Sequence, residues 1–294
     1  MKEKTLPGTV HLGYQYKTKN RFREKALCDL ILYAVSLANA SKSRPSNMDM
    51  DFVSLDIGCG SGHLLKACKE KGLKIEGADL DPACVELSGS YGKTHLIGND
   101  SLLNYFETQS YDCMTFSHSL EHFDSPLDAV MNAKQISRWY LVFAVPNPCC
   151  LETVLISNPL RHNYSNLGHL CCWDRSHFNF FLTQRCGLDI LKWEHYKIGL
   201  SSLPAALLNA LRRKRQERQA PNGRDIQSLK RENSKHTLRR LVKKTFEPLE
   251  TFLARLFPYL ADELLVLTRI PEKSKDSLNR YWCASGGVLC YRGC

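Results

Sequence analysis

An α/β fold is predicted for this chain, built on a seven-stranded, mostly parallel sheet with helices on both faces. Three observations predict it. Short, almost wholly apolar runs recur between amphipathic stretches, as strands buried on both faces require. A glycine-rich turn joins the first of these runs to a helix. Hydrophobic residues make up 43% and charged residues 24% of the 294, enough for an ordinary core.

The elements follow in order. Over residues 21–40, Leu27, Leu30, Ile31, Ala34 and Leu37 recur at helical spacing and form one apolar stripe. Residues 41–50 are polar and broken by Pro45, so they read as a linker. Strands are expected at 52–57, 73–80, around Thr94 to Asp100, at 112–117 and at 139–146. Helices are expected at 63–72, from Pro82, and from Pro126, with proline in the first turn of the last two. Residues 148–174 form a long connection, a length that goes with function. A helix ending at Gly187 follows, then strands at 188–198 and 263–270. The organisation expected is an N-terminal segment and linker at 1–50, a core at 51–200, a helical insert at 201–262, a last core strand at 263–270, and a disordered tail at 271–294.

The net charge of +10 is concentrated in one place. Between Arg212 and Lys244 stand thirteen Lys or Arg and three acids, so the rest of the chain is neutral. Such a segment suits an anionic membrane surface, RNA phosphates or an acidic partner, or is a solvated helical face. Its apolar helical stripes favour a helical subdomain first, membrane contact through residues 201–245 second, and RNA third. No run approaches the length of a membrane-spanning helix. The first twenty residues lack an apolar signal core, so a cytoplasmic location is expected, with peripheral membrane association if the basic segment meets lipid. Thirteen cysteines are present without zinc-site spacing, and most are expected to be buried thiols.

The chemistry concentrates in Asp56-Ile57-Gly58-Cys59-Gly60-Ser61-Gly62. Alternating glycines let the backbone turn sharply and approach a ligand. Twenty-three residues after Asp56 comes Asp79, at a strand end, where an acid can accept from both ribose hydroxyls. A nucleoside-containing ligand follows. The G-x-G-x-G spacing departs from the dinucleotide fingerprint. An acid beside the ligand disfavours phosphate and suits a cation.

In these residues the sequence resembles the class I S-adenosylmethionine-dependent methyltransferases, which carry a Rossmann-like sheet. Gly77-Ala78-Asp79-Leu80-Asp81, Gly98-Asn99-Asp100-Ser101, Tyr111-Asp112, His118-Ser119-Leu120-Glu121-His122 and Val145-Pro146-Asn147 match further family motifs in the expected order. Gly168-His169-Leu170 with Trp173 is similar to the His-containing segment of small-molecule and glycan methyltransferases. The resemblance implies S-adenosyl-L-methionine as cofactor. It would be held by Asp56, Gly58, Cys59, Gly60, Gly62, Asp79, Leu80, Asp100, Ser101 and Ser117. It also implies in-line methyl transfer that requires no metal.

For a hydroxyl acceptor the candidate bases are His118, His122 and His169, all expected at the C-terminal end of the sheet. Glu121 is expected to cap a turn or orient His122. The acceptor expected is a small molecule, lipid or glycan. RNA or protein methylation and a non-catalytic scaffold are the alternatives. Two departures stand out: Ser117 replaces a common large aromatic, and Ser137-Arg138-Trp139 replaces a turn that usually holds glycine.

Overall fold

The computed structural model describes residues 21–40, 52–151, 169–196, 249–250 and 252–272. The expected basic insert therefore lies outside the described residues except for its last part, and the expected tail lies outside them beyond Glu272.

The elements are α1 (Arg21–Ala40), β1 (Val53–Ile57), α2 (His63–Glu70), β2 (Lys74–Asp79), α3 (Pro82–Ser88), β3 (Thr94–Leu96), β4 (Tyr111–Ser117), α4 (Pro126–Ile136), β5 (Ser137–Pro146), α5 (Arg175–Phe180), β6 (Asp189–Tyr196) and β7 (Glu263–Arg269). They form one seven-stranded sheet in the order β3-β2-β1-β4-β5-β7-β6. Strand β7 runs antiparallel to both its neighbours, and the other pairings are parallel. The chain thus winds outward from β1 to β3 and crosses back to β4. The place where the winding reverses, between β1 and β4, is where ligands bind in open α/β sheets.

Apolar residues on both faces explain the continuous hydrophobic runs. Along β5, Leu141, Phe143 and Val145 pack with Val130, Ile136 and Phe178 on one face. Val142 and Ala144 alternate with them and pack with Leu27, Leu30, Ile31 and Leu65 on the other. Helix α1 is thus a layer over the sheet, and its predicted stripe is buried except at half-buried Leu37.

The turn without glycine is resolved by geometry. Helix α4 ends at Ile136 and β5 starts at once, with Ser137 in extended conformation (φ −84°, ψ 140°) that needs no glycine. The Ser137 hydroxyl donates to the Tyr140 carbonyl (2.9 Å), and Arg138 pairs with Asp112 (2.9 Å). The helix expected to end at Gly187 starts two residues earlier than its apolar run, at Arg175. Its last turn, Phe181–Arg185, is a π-turn. Six of the ten cysteines among the described residues are buried.

Candidate active site

Strands β1, β2 and β4 end on one side of the switch point, where the chain leaves a cleft of about 640 Å³. That volume lies in the range of small-molecule and cofactor sites.

The glycine-rich turn forms one wall. Gly58 has φ +74°, and a Cβ there would stand 2.5 Å from the Ser119 Cβ. Ser119 in turn donates through Oγ to the Ile57 carbonyl (2.6 Å), which latches the loop after β4 against the end of β1. Gly62 (φ +76°) precedes α2, and a Cβ there would meet Ser88 at 2.8 Å. Asp79 binds the same turn. Its Oδ2 accepts from the Gly60 N–H (2.8 Å) and its Oδ1 from the Asp81 N–H (2.9 Å). Burial pushes the Asp79 carboxyl up, and these two backbone donors only partly offset that.

The opposite wall is polar. Asp100 lines the cleft while accepting from Tyr105 and from Asn104, and those bonds hold its carboxyl below the usual range. The Ser101 Oγ accepts from Asn132 (3.0 Å) and from the Leu103 N–H (3.3 Å). Leu80 also lines the cleft and leaves an apolar surface 53% exposed. Five aspartates line this cleft: Asp79, Asp81, Asp100, Asp124 and Asp128. No lysine or arginine among the described residues does so. The cleft therefore favours cations and repels phosphate.

Of the residues named from the sequence, Gly58, Asp79, Leu80, Asp100, Ser101, His118 and His122 line the cleft. Asp56, Cys59, Gly60, Gly62, Ser117 and His169 do not. Asp56 lies behind the glycine turn, 1% exposed, and burial followed by the charge of Asp79 raises its carboxyl well above the usual range. Asp56 therefore does not line the cleft, whereas five other aspartates do. The Cys59 thiol turns into the core against Ser88, and burial pushes it up. The cleft wall passes from Ser117 to its neighbour His118, whose backbone takes the left-handed conformation (φ 55°).

His118 stands between two carboxylates. Its Nε2 lies 3.5 Å from Glu263 Oε2 and its Nδ1 lies 3.7 Å from Glu121 Oε1. Glu263 opens β7 and receives two hydrogen bonds from Arg23 at the start of α1. Burial alone would raise the Glu263 carboxyl. The Arg23 guanidinium and the His118 ring outweigh it and hold that carboxyl well below the usual range. Glu121 neither caps a turn through its side chain nor hydrogen-bonds His122. Its carboxylate is buried, and its backbone carbonyl accepts from the Leu170 and Cys171 N–H groups (2.8 and 3.2 Å).

Sequence reasoning gave Ser119 no role of its own, although it lies inside the recognised motif after β4, and missed Asp124 and Asp128 just beyond it. It also missed Arg23 and Glu263. Each is one of several charges at the start of an apolar element, and nothing local connects the two.

A sequence model of the family described as "Methyltransferase domain" matches residues 20–192. Two curated relatives are both ubiquinone biosynthesis O-methyltransferases. The one from Saccharophagus degradans is 29% identical over 92 residues, 28% of this chain and 37% of that protein. The one from Nitrosospira multiformis is 27% identical over 124 residues, 39% of this chain and 47% of that protein. The chain thus spans less than half the length of the curated relatives it matches. Among solved structures, a SAM-dependent methyltransferase from Archaeoglobus fulgidus aligns with 17% identity over 82% of this chain and 94% of that one, at a TM-score of 0.46. Phosphoethanolamine N-methyltransferase 2 of Haemonchus contortus, solved with S-adenosyl-L-methionine, aligns with 14% identity over 81% of this chain and 53% of that one, at a TM-score of 0.45. With the family model matching more than half of its length, a glycine-rich turn at the switch point and Asp79 at the end of β2, the chain belongs to the class I S-adenosylmethionine-dependent methyltransferases.

Proposed function

We propose that this chain methylates an oxygen of a small-molecule, lipid or glycan acceptor, using S-adenosyl-L-methionine. The observation that carries the reading is the cleft lined by five aspartates and, among the described residues, by no lysine or arginine, placed where the sheet reverses its winding. A dinucleotide would bring a pyrophosphate into a wall of aspartates. S-adenosylmethionine brings an ammonium and a sulfonium instead. Asp79 would hold the ribose hydroxyls, exposed Leu80 would cover the adenine, and the Asp100 to Ser101 segment would meet its edge.

When bound, the cofactor supplies an activated methyl group, and the protein positions the acceptor in line with it. His118 takes the proton of the acceptor hydroxyl. Glu263 stabilises the resulting imidazolium, and Arg23 keeps Glu263 charged and in place. The curated relatives bear an O-methyltransferase name, which supports oxygen as the acceptor atom. The basic segment between Arg212 and Lys244 lies outside the described residues, and its charge suits an anionic membrane surface or RNA. No helix among the described residues is long and apolar enough to cross a membrane.

The test is thermal denaturation with and without S-adenosylhomocysteine, repeated in Asp79→Ala. Ligand that binds only the folded state raises the melting temperature. A rise in the wild type that disappears in the variant is expected. A folded wild type that does not respond to millimolar ligand would return the chain to the scaffold reading.

A further inference from the structure

Beside the cleft, Glu121, His122 and His169 bring a carboxylate oxygen and two imidazole nitrogens within 4.8 Å of one another. Glu121 is 1% exposed, and neither of its carboxylate oxygens accepts a hydrogen bond. His118 Nδ1 stands 3.7 Å away, beyond normal hydrogen-bond reach. A buried carboxylate without donors is strongly disfavoured unless a positive charge or a proton neutralises it.

The trio is assembled by the fold. Glu121 and His122 sit on the 3-10 turn Leu120–His122 after β4. His169 comes from the connection after β5, which is fastened to that same turn. The Leu170 and Cys171 N–H groups bond to the Glu121 carbonyl, and Trp173 packs on Phe178 and Phe181. The His122 and His169 rings meet edge to face, with centroids 4.8 Å apart.

We propose that Glu121, His122 and His169 bind one divalent transition-metal cation of the zinc or manganese type. Two imidazoles and one carboxylate are the donors such ions take, and three protein ligands leave a coordination position open. His122 also lines the cleft, so the ion lies at the cleft wall. Resting on the methyl transfer to oxygen proposed above, the ion would bind the acceptor oxygen, ease its deprotonation and present it toward the methyl group. This departs from the expectation that the reaction needs no metal.

The experiment uses the full chain, stripped with a chelator and dialysed. It is titrated calorimetrically with Zn²⁺ and separately with Mn²⁺, and its metal content is measured after gel filtration. One equivalent of at least one of the two ions per chain is expected. Glu121→Gln and His169→Ala should each weaken that binding at least about tenfold, the scale on which even changes around a metal's ligands act. Glu121→Gln keeps the shape of the side chain and removes the buried charge, so without metal it should melt no lower than the stripped wild type. Absence of stoichiometric binding of either ion to the wild type would overturn the site, and so would undiminished binding in both variants. S-adenosylhomocysteine binding is measured on the same samples. Its loss with metal binding retained would count against the methyltransferase reading and leave the metal site standing.

Discussion

The Arg23 guanidinium holds Glu263 through two hydrogen bonds, of 2.8 and 2.7 Å, between residues 240 positions apart. This pair ties the first described helix to the last strand of the sheet, and it faces His118 on the cleft wall.

Removing Arg23 leaves Glu263 charged, buried and without its strongest partner. Arg23→Ala is expected to lose about 3 kcal/mol of stability near neutral pH, the scale for breaking a buried pair. The loss should depend on pH. Glu263 titrates below its ordinary value of 4.5 in the folded chain, so the unfolded chain takes up the proton first as pH falls. The stabilisation is complete above the ordinary glutamate range and fades as pH drops below it. Urea denaturation of wild type and Arg23→Ala from pH 7 down to pH 3 should therefore show the two curves converging in acid. A gap that stays constant would mean that the pair contributes packing alone.

Gly58→Ala should damage both stability and the site. The new methyl group meets Ser119 at 2.5 Å, and the residue keeps a φ of +74° that alanine resists. A loss of about 1–3 kcal/mol is expected from strain of this kind. S-adenosylhomocysteine affinity should fall with it, because the turn that faces the ligand must shift. Ser119→Gly placed in the same chain should recover part of the stability. Thermal melts of the single and double variants measure this.

Asp124→Lys tests the charge of the cleft wall. The side chain is exposed and lies outside the glycine turn, so the fold should survive. Replacing a negative charge by a positive one should weaken S-adenosylmethionine binding by about 1 kcal/mol, roughly fivefold, for charges a few ångströms apart in a polar surround. S-adenosylhomocysteine lacks the sulfonium and should lose less. Calorimetric titration of both ligands at low and high salt separates the two cases. An equal loss for both ligands would point to steric damage.

His118→Asn separates chemistry from backbone geometry. Asparagine tolerates the left-handed conformation that His118 adopts at φ 55°. S-adenosylhomocysteine affinity should change little, while kcat with any turned-over hydroxyl acceptor should drop by about 10²–10⁴, the usual contribution of a positioned base. Unchanged kcat would remove His118 from proton transfer.

Much of the fold was legible because its signals are local. The apolar run at 139–146 announces a strand buried on both faces, and Leu27, Leu30 and Ile31 announce the buried side of a helix. Asp79 is legible because the acid closes β2 just where the glycine turn requires an acceptor. Asp56 shows the limit of such reading. The motif names the residue, but only packing decides that it lies behind the turn and that Asp124 and Asp128 face the cleft instead.

The amino-acid sequence by itself determined the alternation of strands and helices, the glycine turn and the class of ligand, since each depends on neighbours within a few turns of chain. Tertiary structure alone decided which charges meet. Arg23 finds Glu263, and His169 finds Glu121, only after the sheet has ordered its strands. Coulombic and metal-binding contacts require atoms a few ångströms apart, and no sequence spacing of forty or two hundred residues encodes that distance.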